Sequence, residues 1–214
     1  MNLLLRTQDV MKKLFLFDFD GVLIDSLEIY ERAVTLCLEK IGKPIVKNRA
    51  DFLNLFDENF YEAIVSRGID LGEYMDASKE IIARINYDEM TPFYDLAPVL
   101  DKLAKDHTLA VISSNDSEAI NAVMSRHKYN GYFEEVLGSD FMFSKRGKIV
   151  HAMDRFQMER DSTYYIGDTA GDIKEAKMAG VRTVAVTWGW HSREKLTVAR
   201  PDYLIDTPGE LLYL

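Results

Sequence analysis

The 214-residue sequence predicts an α/β protein built on a parallel β-sheet, with a small all-helical domain inserted after the first strand. Short, continuously apolar runs of strand length alternate with helix-like stretches, which is typical of a parallel sheet covered on both faces. This alternation stops after Asp25 and resumes only after Pro92. The stretch between them has apolar residues at helical spacing, and this interruption predicts the inserted domain.

The predicted strands are six apolar runs, at residues 14–17, 109–112, 135–137, 163–166, 183–186 and 203–205. Helices are predicted between most of them, over residues 96–105, 118–127, 149–157 and 170–179. In sheets of this kind, ligands bind beyond the carboxyl ends of the strands. The residues that follow each strand are therefore the first candidates for a functional site.

The predicted domain organisation has three parts. Residues 1–12 form an N-terminal extension, residues 13–24 and 91–214 form the sheet-containing core, and residues 25–90 form the helical insert. The first helix of the insert is predicted to begin at Asp25 and Ser26, with Asp25 as a helix cap rather than a catalytic group. Such an insert over the carboxyl edge of a sheet can act as a lid that excludes water and selects substrate.

The composition excludes several classes of partner. The chain has 26 Lys and Arg residues against 35 Asp and Glu residues, a net charge of −9, which argues against nucleic acid as the main partner. The one cysteine, Cys37, excludes an internal disulfide and suits a reducing compartment. No apolar run approaches the roughly 18 residues of a membrane span, and the N-terminus has no signal-peptide pattern. We therefore expect a cytoplasmic protein without membrane or nucleic-acid partners, and monomer and homodimer are both open.

Two acidic residues follow the first predicted strand. Asp18 and Asp20 lie two positions apart on extended chain, so their side chains project to the same side. Gly21 permits a tight bend directly after them. Paired carboxylates at this position can hold a hard cation such as Mg²⁺ while one attacks and the other transfers protons. The alternative is a pair of solvated loop acids.

A second acidic pair follows the strand at residues 163–166. Asp168 repeats the position of Asp18 at a strand end, and Asp172 falls in the first turn of the next predicted helix. The helix dipole stabilises a carboxylate there, so a purely structural role is the alternative for Asp172. Two parallel strands that both end in acidic residues predict a shared cation site.

Two further motifs could bind an oxyanion. Ser113, Ser114 and Asn115 follow the strand at residues 109–112 and could donate hydrogen bonds to a phosphate, or form a turn and helix N-cap. Lys145 and Lys148 lie near a helix start, where lysines are less common than at a helix end. A phosphate clamp and a solvated basic turn are both open for the two lysines.

In this order, the motifs resemble those of the haloacid dehalogenase-like (HAD) hydrolase superfamily, and within it the phosphoglycolate-phosphatase-like branch. DFDGVLIDS resembles the first motif of that family, ISSN the second, a lysine near a helix start the third and GDTAGD the fourth. The closing segments AGVRTVAVTWGWHSREKL and PDYLIDTPGELL are similar to the same branch. The insert corresponds in position to the helical C1 cap of these proteins. The resemblance covers nearly the whole chain from Met11 onward.

The resemblance implies a Rossmann-like core and Mg²⁺-dependent hydrolysis of phosphate monoesters. By position, Asp18 is the nucleophile that forms an aspartyl-phosphate, and Asp20 is the general acid and base. Mg²⁺ would be held by Asp18, by the backbone carbonyl of Asp20 and by Asp168, with Asp172 in support. Ser113 would bond the transferring phosphoryl group, and the third-motif lysine would balance its charge.

The third-motif lysine is assigned from its spacing to Asp168, which favours Lys145, although Gly147-Lys148 also resembles a variant form of the motif. The full set of predicted phosphate-binding residues is Gly21, Ser113, Ser114, Asn115, Lys145 and Lys148. Two positions depart from the family pattern: Val22 stands where a threonine is common, and Asp95 stands in a turn that usually carries a small residue.

Three functions are compatible with this pattern. The first is a phosphatase that acts on a small phosphorylated metabolite. The second is a sugar phosphomutase of the same fold, which passes the phosphoryl group to a second sugar hydroxyl instead of water. The third is a binding or regulatory protein that retains the fold without turnover, and candidate residues at all four motifs argue against it.

Other residues have less specific patterns. The histidines at 107, 127, 151 and 191 show no metal-ligand spacing and are predicted to be surface or helix residues. Trp188 and Trp190 lie near the predicted site edge, where packing or an interface contact is favoured over substrate stacking. In the insert, Arg49, Asn54 and Asn59 could reach a substrate or lie on solvated helix faces.

Overall fold

A computed structural model describes residues 11–86 and 89–214, so the predicted N-terminal extension lies mostly outside the described residues. The core is a six-stranded sheet in the order β5-β4-β1-β6-β7-β8, in which all strand pairs are parallel. These strands are β1 (Leu14–Phe17), β4 (Thr108–Ile112), β5 (Glu135–Leu137), β6 (Thr163–Gly167), β7 (Arg182–Val186) and β8 (Tyr203–Ile205). The predicted α/β fold class is confirmed, and the six predicted strands differ from the observed ones by at most one residue at either end.

Helices cover both faces of this sheet: α5 (Ala97–Asp106), α6 (Ser117–Arg126), α7 (Lys145–Phe156), α8 (Ala170–Ala179) and α9 (Arg193–Ala199). Because successive strand residues point to opposite faces, Phe15 and Phe17 of β1 pack in the cluster that includes α5 and α6. Leu14 and Leu16 pack in the opposite cluster, which includes α7 and α8. β1 is therefore buried on both faces, which explains its continuous apolar sequence.

The insert is entered and left through a short antiparallel pair, β2 (Ile24–Asp25) and β3 (Thr91–Pro92). Between them lie α1 (Leu27–Lys40), α2 (Arg49–Leu53), α3 (Phe60–Ser66) and α4 (Leu71–Ile82). These helices share a hydrophobic cluster of their own, to which Trp190 of the core contributes. The pair β2–β3 lies at both predicted boundaries of the insert, at residues 25 and 90.

Two local predictions differ from the structure, and one helix has no counterpart among the predictions. Asp25 is an exposed residue of β2, so it does not cap the first insert helix; Ser26 precedes that helix, and its hydroxyl bonds elsewhere. Helix α7 begins at Lys145, one turn earlier than residue 149, because the Ser144 hydroxyl accepts a hydrogen bond from the Gly147 amide and caps it. Helix α9 was not predicted.

Among the described helices, none is both long and apolar enough to cross a membrane.

Candidate active site

The parallel register brings three strand ends to one edge of the sheet. Phe17, the last residue of β1, pairs with Val111 in β4 and with Ile166 in β6. Asp18, Ser113 and Asp168 follow these strands, so all three lie at the carboxyl edge of the sheet. The predicted convergence of the first, second and fourth motifs is therefore present in the structure.

A cluster of three buried carboxylates lies at this edge. One oxygen each of Asp18, Asp168 and Asp172 lies within 4.8 Å of the others, and the three residues are 5%, 0% and 2% exposed. Asp172 is held by a capping box at the start of α8, in which its Oδ2 accepts hydrogen bonds from the Thr169 amide and hydroxyl. Asp168 Oδ2 accepts a hydrogen bond from the Trp190 amide at 2.6 Å.

This carboxylate cluster has the chemistry of a site for a hard divalent cation. Asp168 Oδ1 is buried and has no hydrogen-bond partner within the described residues. An unpaired carboxylate oxygen in an apolar surrounding is costly, and oxygen ligands are those that Mg²⁺ prefers. Three converging carboxylates with one unpaired buried oxygen therefore fit a cation such as Mg²⁺.

Two glycines let the chain pass close to Asp168. A Cβ on Gly21 would lie 2.0 Å from Asp168 Oδ2, and Gly21 has a positive φ of 70°. A Cβ on Gly189 would lie 2.3 Å from the Cβ of Asp168. Contacts this short do not occur between real atoms, so side chains at either position would displace Asp168. Gly189 was not predicted to matter, because a close approach of two loops has no signal in one sequence.

Lys145 supplies the positive charge at the cluster. Its Nζ donates to Asp18 Oδ2 at 2.6 Å and to Asp172 Oδ1 at 2.5 Å, and the side chain is 9% exposed. Burial raises the pKa of Asp18 to about 8 against the opposing effect of Lys145. For Asp172, burial also favours the neutral form, but the charge and hydrogen bond of Lys145, together with hydrogen bonds from Thr169, outweigh burial and lower the pKa. Lys145 is therefore the lysine that the structure brings to Asp18.

Lys148 lies in a different environment, although it is only three residues away. Its side chain is completely buried, and Nζ donates to the backbone carbonyl of Ser113. Burial and the nearby Lys145 charge lower the pKa of Lys148 to about 7. Lys148 thus lies behind the loop that follows β4.

Asp20 is not one of the three residues of the carboxylate cluster, and its side chain has other partners. Its Oδ1 accepts a hydrogen bond from the Ser26 hydroxyl at 2.7 Å, and its Oδ2 accepts one from the side-chain amide of Asn115 at 2.5 Å. Burial raises the pKa of Asp20 to about 6, against these two hydrogen bonds, which lower it. A carboxyl group with a pKa near 6 can both donate and accept a proton near neutral pH.

The loop after β4 is fixed from several sides. The Ser113 hydroxyl accepts a hydrogen bond from the Asn115 amide nitrogen of the backbone at 3.1 Å. The Ser114 carbonyl accepts one from the hydroxyl of Tyr61, a residue of α3, at 2.6 Å. Tyr61 therefore joins the insert to the second motif, a contact between distant segments that the sequence does not predict.

A cavity of about 780 Å³ opens onto this edge of the sheet. Of the predicted site residues, those that line it are Asp18, Asp20, Ser114, Asn115, Lys145, Asp168 and Asp172. Gly21, Ser113 and Lys148 do not line the cavity. Gly21 and Ser113 contact the lining residues Asp168 and Asn115, and Lys148 lies one layer further back, against Ser113. The remaining walls come from the insert, from α6, from the loop after β5, from the start of α8 and from Trp190.

The prediction that the histidines are surface or helix residues is wrong for His191. This residue is 2% exposed, and its Nδ1 accepts a hydrogen bond from the Ala170 amide at 3.0 Å. Its Nε2 lies 3.0 Å from the Leu53 carbonyl, which assigns the proton to Nε2. His191 thus joins the start of α8 to the insert. No histidine belongs to the carboxylate cluster of the described chain.

The other residues with open interpretations have structural partners. Trp188 Nε1 donates to the Val22 carbonyl, and Trp190 packs against Phe56 and other rings of the insert and also lines the cavity. The remaining three are insert residues. Arg49 pairs with Glu31 on an exposed face, Asn54 accepts from Lys195, and Asn59 is buried and donates to Glu175.

Comparison with known proteins agrees with this fold. The model of the haloacid dehalogenase-like hydrolase family matches residues 15–186. The chain therefore belongs to this family, and the family and hydrolase class expected from the motifs are confirmed. A phosphoglycolate phosphatase of Synechococcus elongatus is 29% identical over 202 residues, covering 92% of this chain and 94% of that protein.

Two further comparisons extend over similar lengths. A phosphoglycolate phosphatase of Aliivibrio fischeri is 26% identical, covering 91% of this chain and 92% of that protein. A solved structure of a haloacid dehalogenase-like family hydrolase from Streptococcus pneumoniae superposes with a TM-score of 0.78 at 21% identity, covering 94% of this chain and 97% of that one. The structural likeness supports the fold.

Proposed function

We propose that the protein is a Mg²⁺-dependent phosphatase that hydrolyses the phosphate monoester of a small metabolite through an aspartyl-phosphate on Asp18. One observation carries this proposal: Asp18 and Asp20 line the same cavity in different environments, with Lys145 and two further carboxylates beside Asp18. The names of the curated relatives support phosphatase chemistry in the family. A cytoplasmic location stays a prediction from the sequence.

In the first step, an Asp18 oxygen attacks phosphorus, and the bond from phosphorus to the substrate's ester oxygen breaks. Asp20, in its protonated form, gives a proton to the departing alkoxide. The Asp20 pKa of about 6 leaves part of this group protonated near neutral pH. In the second step, water attacks the phosphoryl group, Asp20 takes a proton from that water, and phosphate leaves Asp18.

The surrounding groups stabilise charge and hold positions. Lys145 neutralises negative charge next to the nucleophile, and hydrogen-bond donors of Ser114 and Asn115, which line the cavity, would bind the phosphoryl oxygens. Asp18, Asp168 and Asp172, with the backbone carbonyl of Asp20, are the residues that would hold Mg²⁺. When bound, the cation would neutralise phosphoryl charge and favour the ionised carboxylates.

The proposal is tested by measuring phosphate release from a panel of monoesters with Mg²⁺ and with excess chelator. Asp18→Asn keeps the side-chain volume and should reduce turnover on the order of 10³-fold or more, because it removes the nucleophile. Asp154→Asn makes the same change at an exposed position of α7 and should leave turnover unchanged. Turnover that survives in Asp18→Asn would overturn the assignment.

The same panel separates the two other functions that the sequence leaves open. A phosphomutase would interconvert sugar phosphate isomers, whereas a phosphatase releases inorganic phosphate without interconversion. A binding protein would release no phosphate from any monoester.

A further inference from the structure

The cavity extends well beyond the carboxylate cluster. Its volume of about 780 Å³ is in the range of sites for drug-sized ligands, and a phosphoryl group fills only a small part of it. The walls contributed by the insert are mainly apolar and aromatic, and they include Val34, Cys37, Phe60, Tyr74, Met75 and Ile82. Under the proposed phosphatase function, this region is where the leaving group of the substrate lies.

The charges around the cavity disfavour a second anionic group on the substrate. Nine Asp and Glu residues line it, against two lysines and no arginine within the described chain. Lys145 already contacts Asp18 and Asp172. The other cation, Lys79, has a side chain that is 74% exposed and lies 3.6 Å from Asp76. A carboxylate on the leaving group would therefore meet negative potential and an apolar wall without a buried cation to pair with.

Two hydroxyl groups in the apolar wall could contact a neutral polar group. Tyr74 and Ser78 lie one turn apart on α4, so they are on the same face of that helix. The two residues are 5% and 9% exposed, and both line the cavity. A neutral polar group on a ligand could exchange a hydrogen bond with either hydroxyl.

We propose that the substrate is the phosphate monoester of an uncharged, mainly apolar or aromatic alcohol, with at most neutral polar groups. This inference rests on the proposed phosphatase function. It also means that phosphoglycolate, which names the curated relatives, is a poor substrate here, because its leaving group is small and carries a carboxylate. This chain would then prefer a different substrate from the one in the names of those relatives.

The first test compares kcat/KM for matched substrates. Phosphoglycolate and its neutral amide differ in charge but hardly in size, and the amide should exceed phosphoglycolate at least about tenfold. In a series from ethyl to hexyl phosphate, each methylene should raise kcat/KM about fourfold, since burying a methylene contributes about 0.8 kcal/mol. Benzyl phosphate should also be preferred to ethyl phosphate.

The second test places a bulky side chain in the apolar region of the cavity. Ala33→Phe, on the buried face of α1, should lower kcat/KM for hexyl phosphate at least about tenfold more than for ethyl phosphate. Ala122→Phe, on the more exposed cavity wall of α6, tests the same point if Ala33→Phe does not fold. Ala50→Phe makes the matched change at an exposed position of α2 outside the cavity and should leave the substrate ratio unchanged.

The outcomes separate this inference from the proposed function. If phosphoglycolate equals or exceeds its amide and chain length has no effect, the inference is overturned while the phosphatase function stands. If no monoester is hydrolysed, the phosphatase function is overturned. Thermal shifts with hexylphosphonate and phosphonoacetate then still decide the ligand preference: a larger shift with phosphonoacetate contradicts an apolar, uncharged ligand.

Discussion

The Asn115 side-chain amide donates a hydrogen bond to Asp20 Oδ2 over 2.5 Å, and this contact joins the loop after β4 to the proposed general acid. The other oxygen of Asp20 accepts from the Ser26 hydroxyl, at the start of the insert. Both carboxylate oxygens are therefore held, one from the core and one from the insert. Both hydrogen bonds lower the pKa of Asp20 against the effect of burial.

Replacing Asn115 should change the pH dependence of catalysis. In the proposed first step Asp20 must be protonated, so kcat/KM should fall as pH rises through its pKa. Asn115→Ala removes a hydrogen bond that stabilises the ionised form, so this falling limb should move to higher pH by about one unit. The measurement is a pH profile of kcat/KM. Asn121→Ala, at an exposed position of α6, should leave the limb in place, and an unmoved limb in Asn115→Ala would contradict the role of Asp20.

Mg²⁺ should raise the thermal stability of the folded chain. A ligand that binds only the folded state stabilises it by mass action, so Tm should rise with Mg²⁺ concentration. Asp168→Asn replaces the carboxylate whose Oδ1 has no partner within the described residues, and it should abolish most of this rise. Asp154→Asn is the matched change at an exposed site. An equal rise in Asp168→Asn would exclude Asp168 as a ligand.

A methyl group added at Gly189 should displace the carboxylate of Asp168. The added Cβ would lie 2.3 Å from the Cβ of Asp168, so Gly189→Ala must displace one of the two loops. We expect Mg²⁺ affinity and turnover to fall on the order of tenfold to a hundredfold. Gly131→Ala adds the same methyl group where nothing lies within 4 Å and serves as the control. Normal Mg²⁺ affinity in Gly189→Ala would show that the loop yields without moving Asp168.

Lys148 should make the stability of the protein depend on pH. Its pKa is about 7 when folded, against 10.5 for an ordinary lysine, so between these values the unfolded chain binds a proton that the folded chain has released. Stability therefore rises with pH in this window and is lost as pH falls toward 7. From pH 7 to pH 9, the free energy of unfolding of the wild type should rise relative to that of Lys148→Met by about 2 kcal/mol.

Urea unfolding of both proteins at pH 7, 8 and 9 gives this difference directly. Lys102→Met removes a lysine from the exposed face of α5 and should give no such trend. If the free energy of unfolding changes equally with pH in the wild type and in Lys148→Met, the buried amine of Lys148 keeps its proton over this range.

The sheet could be predicted from the sequence because its strands are apolar on both faces. A continuous apolar run such as Leu14–Phe17 marks a strand, and a parallel register then places the residues after each strand at one edge. Asp18, Ser113 and Asp168 were found as candidates on this basis. Their convergence needs no detail of side-chain packing, since it follows from strand direction alone.

The remaining features depend on contacts between distant segments. Lys145 and Lys148 lie on the same side of α7, and only the position of that helix against β1 and β4 separates their environments. His191 is buried because a loop after β7 meets the insert at Leu53, a contact across 138 residues. Asp25 has the residue type of a helix cap, but the pairing of β2 with β3 draws it into a strand.

The central position of β1 has a consequence for how the chain folds. Leu14 pairs with Thr108 in β4 and with Thr163 in β6, which are 94 and 149 residues further along the chain. Contacts of such long range slow folding, because a large loop must close before they form. The insert has its own local hydrophobic cluster and can become structured early. Asp18, in contrast, comes close to Asp168 only after β6 has paired with β1. During synthesis on the ribosome, the proposed nucleophile Asp18 would therefore emerge well before Asp168, and the two could meet only after the chain between them has followed.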